Sequence, residues 1–508
     1  MRKLTLRKSF GQKVLLGVDI GTQGAKAVLV SLDGDVLGQG YFTYTIKRSQ
    51  DGYAEQDPER DWWNGCQKAI ATAFHQAQVS SELISAIGFS AQTPNVVLVD
   101  NNGISIRPAI IWQDRRSGQN ATQIETTLTE THLWSRQHFP LTAHSYLAPL
   151  MWLRQNEPEI YQKAALKLTT PGYFLFRLTG RNAVDPAIAS GMIPLYSLEQ
   201  KKWDRRICDL FSIPVTDLPE ILSSHTIAAP LLPKAAEELG LPPGIPVMVG
   251  TGDSMADLLS AGVFLPGQVA FTYGTLFGIV KCIPEPMPDT FCFSHSIDDT
   301  YLLYSGVPLA GATLHWFRDN FAHTEMERSE KTGENSYDLL SDLGQHIQPG
   351  CEGLFAFPFT EHNGDNPETT PGAALVGLNL RHTRDHVYRS FIEGIAYEVR
   401  RQLEGMIGSE ITEIAAIGGG SKDALWTQVI SDVVGVTQHI PILGHGAPFA
   451  DAYLAGWGCG MFSDIEQLRG WIKPGITVNP TRDHRSIYQN GYQEYLRLGK
   501  LLGILNST

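Results

Sequence analysis

Cysteine is scarce in this chain and never clustered. Cys66, Cys208, Cys282, Cys292, Cys351 and Cys459 form no CxxC pair and no Cys/His group with zinc spacing. That excludes a zinc module or a disulfide scaffold and makes a reduced, cytoplasmic setting the expectation. Positive charge is also in short supply: 40 Lys+Arg stand against 53 Asp+Glu, a formal net charge of −13. This balance argues against nucleic acid or an anionic membrane surface as a partner, while leaving room for a local basic pocket for a phosphorylated ligand. No apolar run approaches the ~18 residues of a membrane span. The opening MRKLTLRKSFGQK is basic but has no apolar core, so it is no secretory signal. It has a faint transit-peptide character, and a solvated tail is the expectation. Several catalytic signatures are missing as well. Without GxxxxGK[ST] the chain is not a P-loop enzyme, and without GxSxG an α/β-hydrolase loses its main support. None of the 15 histidines sits in HExxH or HxH; His295, His315 and His362 read as packing or surface residues.

What is present belongs to a large globular protein. At 508 residues the chain exceeds one core, and a prior of roughly 150 residues per domain gives about three units or two large ones. Val14 to Ile20 and Ala25 to Leu32 read as strands, Asp33-Gly34 as a hairpin turn, and Val36 to Thr45 as a third strand. A helix follows, with Asp57 as N-cap, Pro58 at its first position and Trp62-Trp63 as core. Ile84 to Gln92 and Asn95 to Gly103 read as strands, and Gln113 to about Ala164 as mostly helical. A second cycle begins near residue 245: a strand, the glycine turn of GTGDS, a small-residue helix, then a hairpin over Gly267 to Val280 turning at Tyr273-Gly274-Thr275. The expected architecture is α/β in two large domains, 13–260 and 261–500, with a cleft between them. Each domain begins with a strand, a Gly-Thr turn and a strand.

The motifs suggest phosphate chemistry. A hairpin tip of Gly21, Thr22 and Gln23 exposes backbone N–H groups and a hydroxyl, a concavity suited to phosphate oxygens. The neighbouring acid, Asp19, would repel phosphate unless Mg²⁺ lies between them. An ordinary hairpin with Asp19 bonding its own turn accounts for the segment equally well. The second turn, Tyr273-Gly274-Thr275, tips that balance, since two such turns can clamp one triphosphate. Asp253 ends a strand beside glycines and a helix start. It is placed either to accept a proton from an attacking hydroxyl or to N-cap the helix. Gly418-Gly419-Gly420-Ser421 lets backbone approach a flat ligand or an anion, and a tight strand–helix turn explains it as well. Trp112-Gln113-Asp114-Arg115-Arg116 suits a hydroxylated substrate, with Trp112 as a flat wall and Asp114 as acceptor; a surface salt-bridge cluster is the alternative.

Taken in order, these segments resemble the FGGY carbohydrate kinase family of the actin-like ATPase superfamily. GVDIGTQGAK resembles its first phosphate loop, AEQDPERDWW its EQDP…WW segment, IIWQDRR its substrate-side W-x-D element, and VGTGDSMA the loop of its catalytic Asp. TYGT resembles the second phosphate loop, AALVGLNLRHTRDHVYRSFIEGIAYEVR the C-terminal signature, and IGGGSKDALWTQVISDVVG the adenosine loop and helix. The resemblance implies two ribonuclease-H-like domains and ATP-dependent phosphorylation of a sugar hydroxyl. It implies Asp253 as general base, and Asp19 with Asp253 placing Mg²⁺ through water. Phosphates would lie at Gly21, Thr22, Gln23, Gly274 and Thr275, and adenosine at Gly419, Gly420 and Ser421. The sugar would meet Gln92, Thr93, Trp112, Asp114 and Asp253. The pattern is most similar to xylulokinases, so D-xylulose is the expected sugar. Two loops depart from that pattern: Ser90 to Asn95 reads SAQTPN in place of GQMHG, and Glu361 to Pro367 reads EHNGDNP in place of GERTP. D-ribulose, ribitol, L-xylulose and glycerol stay open, as does a nucleotide-binding sensor with little kinase activity. Dimers are common in the family, and a homodimer is the expectation by analogy.

Overall fold

The computed structural model describes residues 13–133, 141–287, 290–359, 372–406, 410–442 and 445–505. The basic N-terminal tail and the EHNGDNP loop lie outside them. The chain forms two compact units, and the first is discontinuous: Met1–Phe264, Pro284–Tyr301 and Leu443–Ile472 belong to it. The second comprises Leu265–Ile283, Leu302–Ile442 and Lys473–Thr508. No helix among the described residues is long and apolar enough to cross a membrane.

In the first unit, strand Val14–Ile20 pairs antiparallel with Gly24–Ser31, which pairs antiparallel with Val36–Thr43. On its other edge it pairs parallel with Ile84–Ala91, placing Asp19 beside Ser90. Ile84–Ala91 in turn pairs parallel with Pro246–Met248 and with the short strand Thr251–Gly252, so that Ser90 also faces Thr251. Gly34 takes φ +83° at the hairpin turn, a conformation that favours glycine. The Asp57 side chain caps the helix as expected, accepting from the N–H groups of Glu59 and Arg60. That helix begins with a wide π-type turn, Pro58–Trp63, before the α-helix Asn64–Ala77. Two expectations shrink. The strand over Asn95 to Gly103 keeps only Val97–Val99, because the Asp100 carboxylate accepts from Asn102 N and Ile104 N and closes a turn. The helical region after Gln113 begins only at Gly118, because Asp114 folds the preceding residues around its own carboxylate.

The central strand is buried on both faces, and alternation assigns them. Leu16, Val18 and Ile20 enter one core with Ile70, Phe89 and Phe174. Gly17 and Gly88 meet helix Ala447–Gly458 on the other face. A Cβ on Gly17 would lie 1.8 Å from the Pro448 carbonyl oxygen, and one on Gly88 1.9 Å from that of Asp451. No side chain can relieve either clash, since both obstacles are backbone. Gly17→Ala is therefore expected to cost about 1–3 kcal/mol through overpacking, read as a fall in the melting midpoint. Asp19 and Ser90, each two residues further along, share this helix-facing side.

The second unit repeats the order. Gln268–Tyr273 pairs antiparallel with Phe277–Ile283 and parallel with Glu413–Ile417, followed by Gln438–Ile440 and Ile476–Val478. Strand Tyr301–Val307 lies beside Phe277–Ile283. In both units, then, an antiparallel hairpin and a third strand are extended by parallel strands on the other edge. This is the ribonuclease-H-like arrangement of the actin-like ATPases.

Candidate active site

At the first hairpin tip the carbonyls are all tied back. The Gly21 carbonyl accepts from Tyr44 Oη at 2.6 Å, Thr22 from Gln56 Nε2 at 2.8 Å, Gln23 from Tyr44 N at 3.1 Å and Gly24 from Gly21 N at 3.0 Å. No described group accepts from the N–H of Thr22 or Gln23. The tip therefore presents donors outward and holds its acceptors inward, as an anion cradle requires. Gly24 is needed for packing: a Cβ there would sit 2.5 Å from the Phe42 carbonyl oxygen. Trp112 is 39% exposed, and its indole donates to Thr22 Oγ1 at 2.9 Å, joining the predicted sugar wall to the predicted phosphate loop.

Four carboxylates act on one another beside this loop. Asp19 is buried and pairs with Lys26 Nζ at 3.2 Å through Oδ2, while its Oδ1 is buried with no hydrogen-bond partner among the described residues. Burial pushes Asp19 up to about 6; Lys26 pulls the other way, and the Asp257 charge adds to the rise. Asp253 stands at the first position of helix Asp253–Ser260, and Gly252, without a side-chain bond, is the cap. Asp253 Oδ1 accepts from Ser254 N at 2.8 Å. Burial, then the Asp19 charge, pushes Asp253 up to about 7. Asp257, one helical turn on, accepts from Ala447 N and so steadies the start of helix Ala447–Gly458. Asp451, on that helix, is fully buried; its Oδ2 accepts from Ser90 Oγ at 2.7 Å, and its Oδ1 has no partner among the described residues. Burial and the charges of Asp19, Asp257 and Asp253 hold it well above the usual carboxylate range, against the Ser90 bond.

The remaining predicted sugar residues divide. Thr93 lies beside the Gly252-Asp253 segment: a Cβ on Gly252 would be 3.2 Å from its Cγ2. Gln92 is wholly buried; its Nε2 donates to Gln56 Oε1 at 2.7 Å, an acceptor shared with the Trp62 indole, and its own Oε1 has no partner among the described residues. Asp114 departs from the expectation of a free acceptor. It is 1% exposed; Oδ2 accepts from Ala54 N at 2.6 Å, Oδ1 from Arg116 N at 2.9 Å, and the Arg116 guanidinium grips both oxygens. Arg116 also pairs with Glu55 at 3.0 Å and stacks on Tyr53. Asp114 thus anchors the segment that carries Trp112.

In the second unit a cavity of about 350 Å³ is lined by Gly274, Thr275, His315, Tyr337, Asp338, Gly419 and Trp426, among others. The second Gly-Thr turn again has its carbonyls directed inward: a Cβ on Gly311 would lie 2.2 Å from Gly274 O, and Ala312 N donates to Thr275 O. The three glycines serve different ends. Gly418 has φ +93° and its Cα abuts the Tyr273 carbonyl, Gly420 abuts the Trp426 ring, and Gly419 opens on unfilled space. Ser421 is turned away; its hydroxyl donates to Gly418 O at 2.8 Å and it does not line the cavity. His315, Tyr337, Asp338 and Trp426 were not legible as site residues in the sequence; they lie on three helices, with Tyr337 and Asp338 on the same one. Sequence reasoning also missed Asp257, whose spacing of four from Asp253 on a helix was a usable signal, and Asp451, for which no local signal exists.

Magnesium, implied by the resemblance, can be tested against these residues. Among the described residues no group of three or more His, Cys, Asp or Glu side chains could hold a metal ion directly. The buried, unpartnered Oδ1 of Asp19 is an acceptor suited to a metal-bound water, so the site fits an ion held mainly by water and phosphate.

Residues 14–260 match the N-terminal domain, and residues 269–457 the C-terminal domain, of the FGGY family of carbohydrate kinases. The chain is 28% identical over 496 residues to a xylulose kinase of Staphylococcus epidermidis, covering 95% of this chain and 96% of that protein. It is 27% identical over 501 residues to a gluconokinase of Bacillus subtilis, covering 96% of each. The crystal structure of a xylulose kinase from Rhodospirillum rubrum superposes with a TM-score of 0.86 at 24% identity, over 97% of this chain and 99% of that one.

Proposed function

This chain belongs to the FGGY family of carbohydrate kinases, and we propose that it transfers the γ-phosphoryl group of ATP to a hydroxyl of a pentulose, converting D-xylulose to D-xylulose 5-phosphate. Residues 13–260 would bind the sugar and residues 261–500 the nucleotide. The observation that carries the reading is the placement of Asp253. It is a carboxylate at a helix start, pushed up to about 7 by burial and the Asp19 charge, with Thr93 beside the preceding glycine. A base near neutrality is matched to taking a hydroxyl proton at working pH. Asp253 takes the proton as the sugar oxygen attacks, and Trp112 holds the sugar's apolar face. The N–H groups of Thr22 and Gln23 receive phosphate oxygens, as do Gly274 and Thr275. The cavity beside Gly419 and Trp426 takes the adenine, a flat apolar ring system. Asp19 and Asp253 would hold Mg²⁺ through water, and the ion when bound spreads the charge of the transferring group.

The test is a coupled ADP-release assay with D-xylulose, D-ribulose, L-xylulose, ribitol, gluconate and glycerol. D-Xylulose is expected to give the highest kcat/KM by about tenfold or more, a difference of about 1.4 kcal/mol in transition-state binding. A higher value for gluconate, ribitol or glycerol overturns the pentulose assignment, and one for D-ribulose or L-xylulose overturns D-xylulose alone; either leaves the kinase chemistry standing. ATP binding without turnover of any sugar would favour a sensor.

A further inference from the structure

The carboxyl of Asp185 is fully buried in the first unit, and among the described residues no cationic group pairs with it. Burial of this kind is costly and calls for a reason. Its Oδ1 accepts from Ile188 N at 2.8 Å and caps the short helix Pro186–Gly191. A serine or asparagine would cap as well. Its Oδ2 accepts from Thr251 Oγ1 at 2.7 Å. Thr251 is also fully buried, lies two residues before Asp253, and pairs in the sheet with Ser90, the cross-strand neighbour of Asp19. Gly252 fits between Thr93 and Ile188: a Cβ there would be 3.2 Å from Thr93 Cγ2 and 3.3 Å from Ile188 Cδ1. The strand end that delivers Asp253 is thus held from one side by the sheet and from the other by the Asp185-capped turn.

We propose that Asp185 is a positioning residue for phosphoryl transfer, fixing the place of the Asp253 carboxylate through the Thr251 hydroxyl. The proposal rests on the reading of Asp253 as general base. Asp185 touches neither substrate in this account; it sets where the base stands, and small displacements of a base are expensive in rate.

The test compares Thr251→Val, Thr251→Ser and Asp185→Asn, with Asp253→Asn in parallel. Thr251→Val removes the hydroxyl at nearly constant volume. It is expected to lower kcat about 10- to 100-fold, with KM for sugar and ATP within about threefold and an unchanged near-ultraviolet dichroism spectrum. Thr251→Ser restores the hydrogen bond and is expected to restore kcat. Asp185→Asn keeps the helix cap and should lower kcat about tenfold. If Thr251→Val does not fold, Asp185→Asn decides on the same terms. A folded Thr251→Val with kcat within twofold of the parent, beside an inactive Asp253→Asn, overturns the positioning role alone. An active Asp253→Asn overturns the base assignment beneath it.

Discussion

Asp253→Asn is expected to lower kcat about 10²- to 10⁴-fold, the range supplied by a general base, while sugar and nucleotide affinities stay within a few-fold. An amide preserves the shape of the carboxylate and its bond from Ser254 N but cannot take a proton. The same substitution should not weaken the fold. Burial and the Asp19 charge raise the folded-state value of Asp253 from 3.8 to about 7. Between those limits the folded protein holds a proton that the unfolded chain has lost. Ionisation of Asp253 therefore costs stability as pH rises from about 4 to about 7, and the full cost is present above 7. In metal-free, ligand-free protein at pH 8, Asp253→Asn is expected to melt higher than the parent, with a shallower fall of stability over that window. Lost rate with gained stability is the signature of a group kept for chemistry. A lower melting point at pH 8 would show that the carboxylate supports the fold instead.

Asp19→Asn is expected to have the next largest effect. Among the described residues its Oδ1 meets no donor, and Lys26 alone donates to its Oδ2. A buried carboxylate left half-satisfied is stabilised by what it binds. Losing the charge should weaken Mn²⁺ binding to the ADP complex about 10- to 100-fold, read from the paramagnetic resonance signal of free Mn²⁺. ADP affinity without metal should change little, because the cavity at Gly419 and Trp426 lies on the other unit. Equal weakening with and without metal would place Asp19 in phosphate binding or in folding, and would remove it from the metal's surroundings.

Much of this was legible from short stretches of sequence. Turns and caps are local: Asp33-Gly34, Asp57-Pro58 and both Gly-Thr hairpins stand where their residue types place them, because conformation there is decided within four or five residues. The requirement for glycine at residues 17 and 88 was not legible. It comes from helix Ala447–Gly458, more than 350 positions away in the chain. Asp451 is hidden for the same reason, since only the packing of that helix brings its carboxyl to Ser90. Asp114 and Ser421 show the opposite limit. Their residue types suit ligand contact, but Arg116 and Ala54 engage one and the Gly418 carbonyl engages the other. A polar side chain's neighbours in its own turn compete with any ligand, and the sequence pattern does not announce the winner.

As a member of a carbohydrate kinase family, this protein is expected to make a sugar phosphate. Phosphorus NMR of the protein with ATP, Mg²⁺ and D-xylulose tests it most directly. One phosphate ester resonance is expected to grow in step with ADP, absent when sugar is omitted and nearly abolished in Asp253→Asn. ADP accompanied by inorganic phosphate at a rate indifferent to sugar would contradict phosphorylation of the sugar.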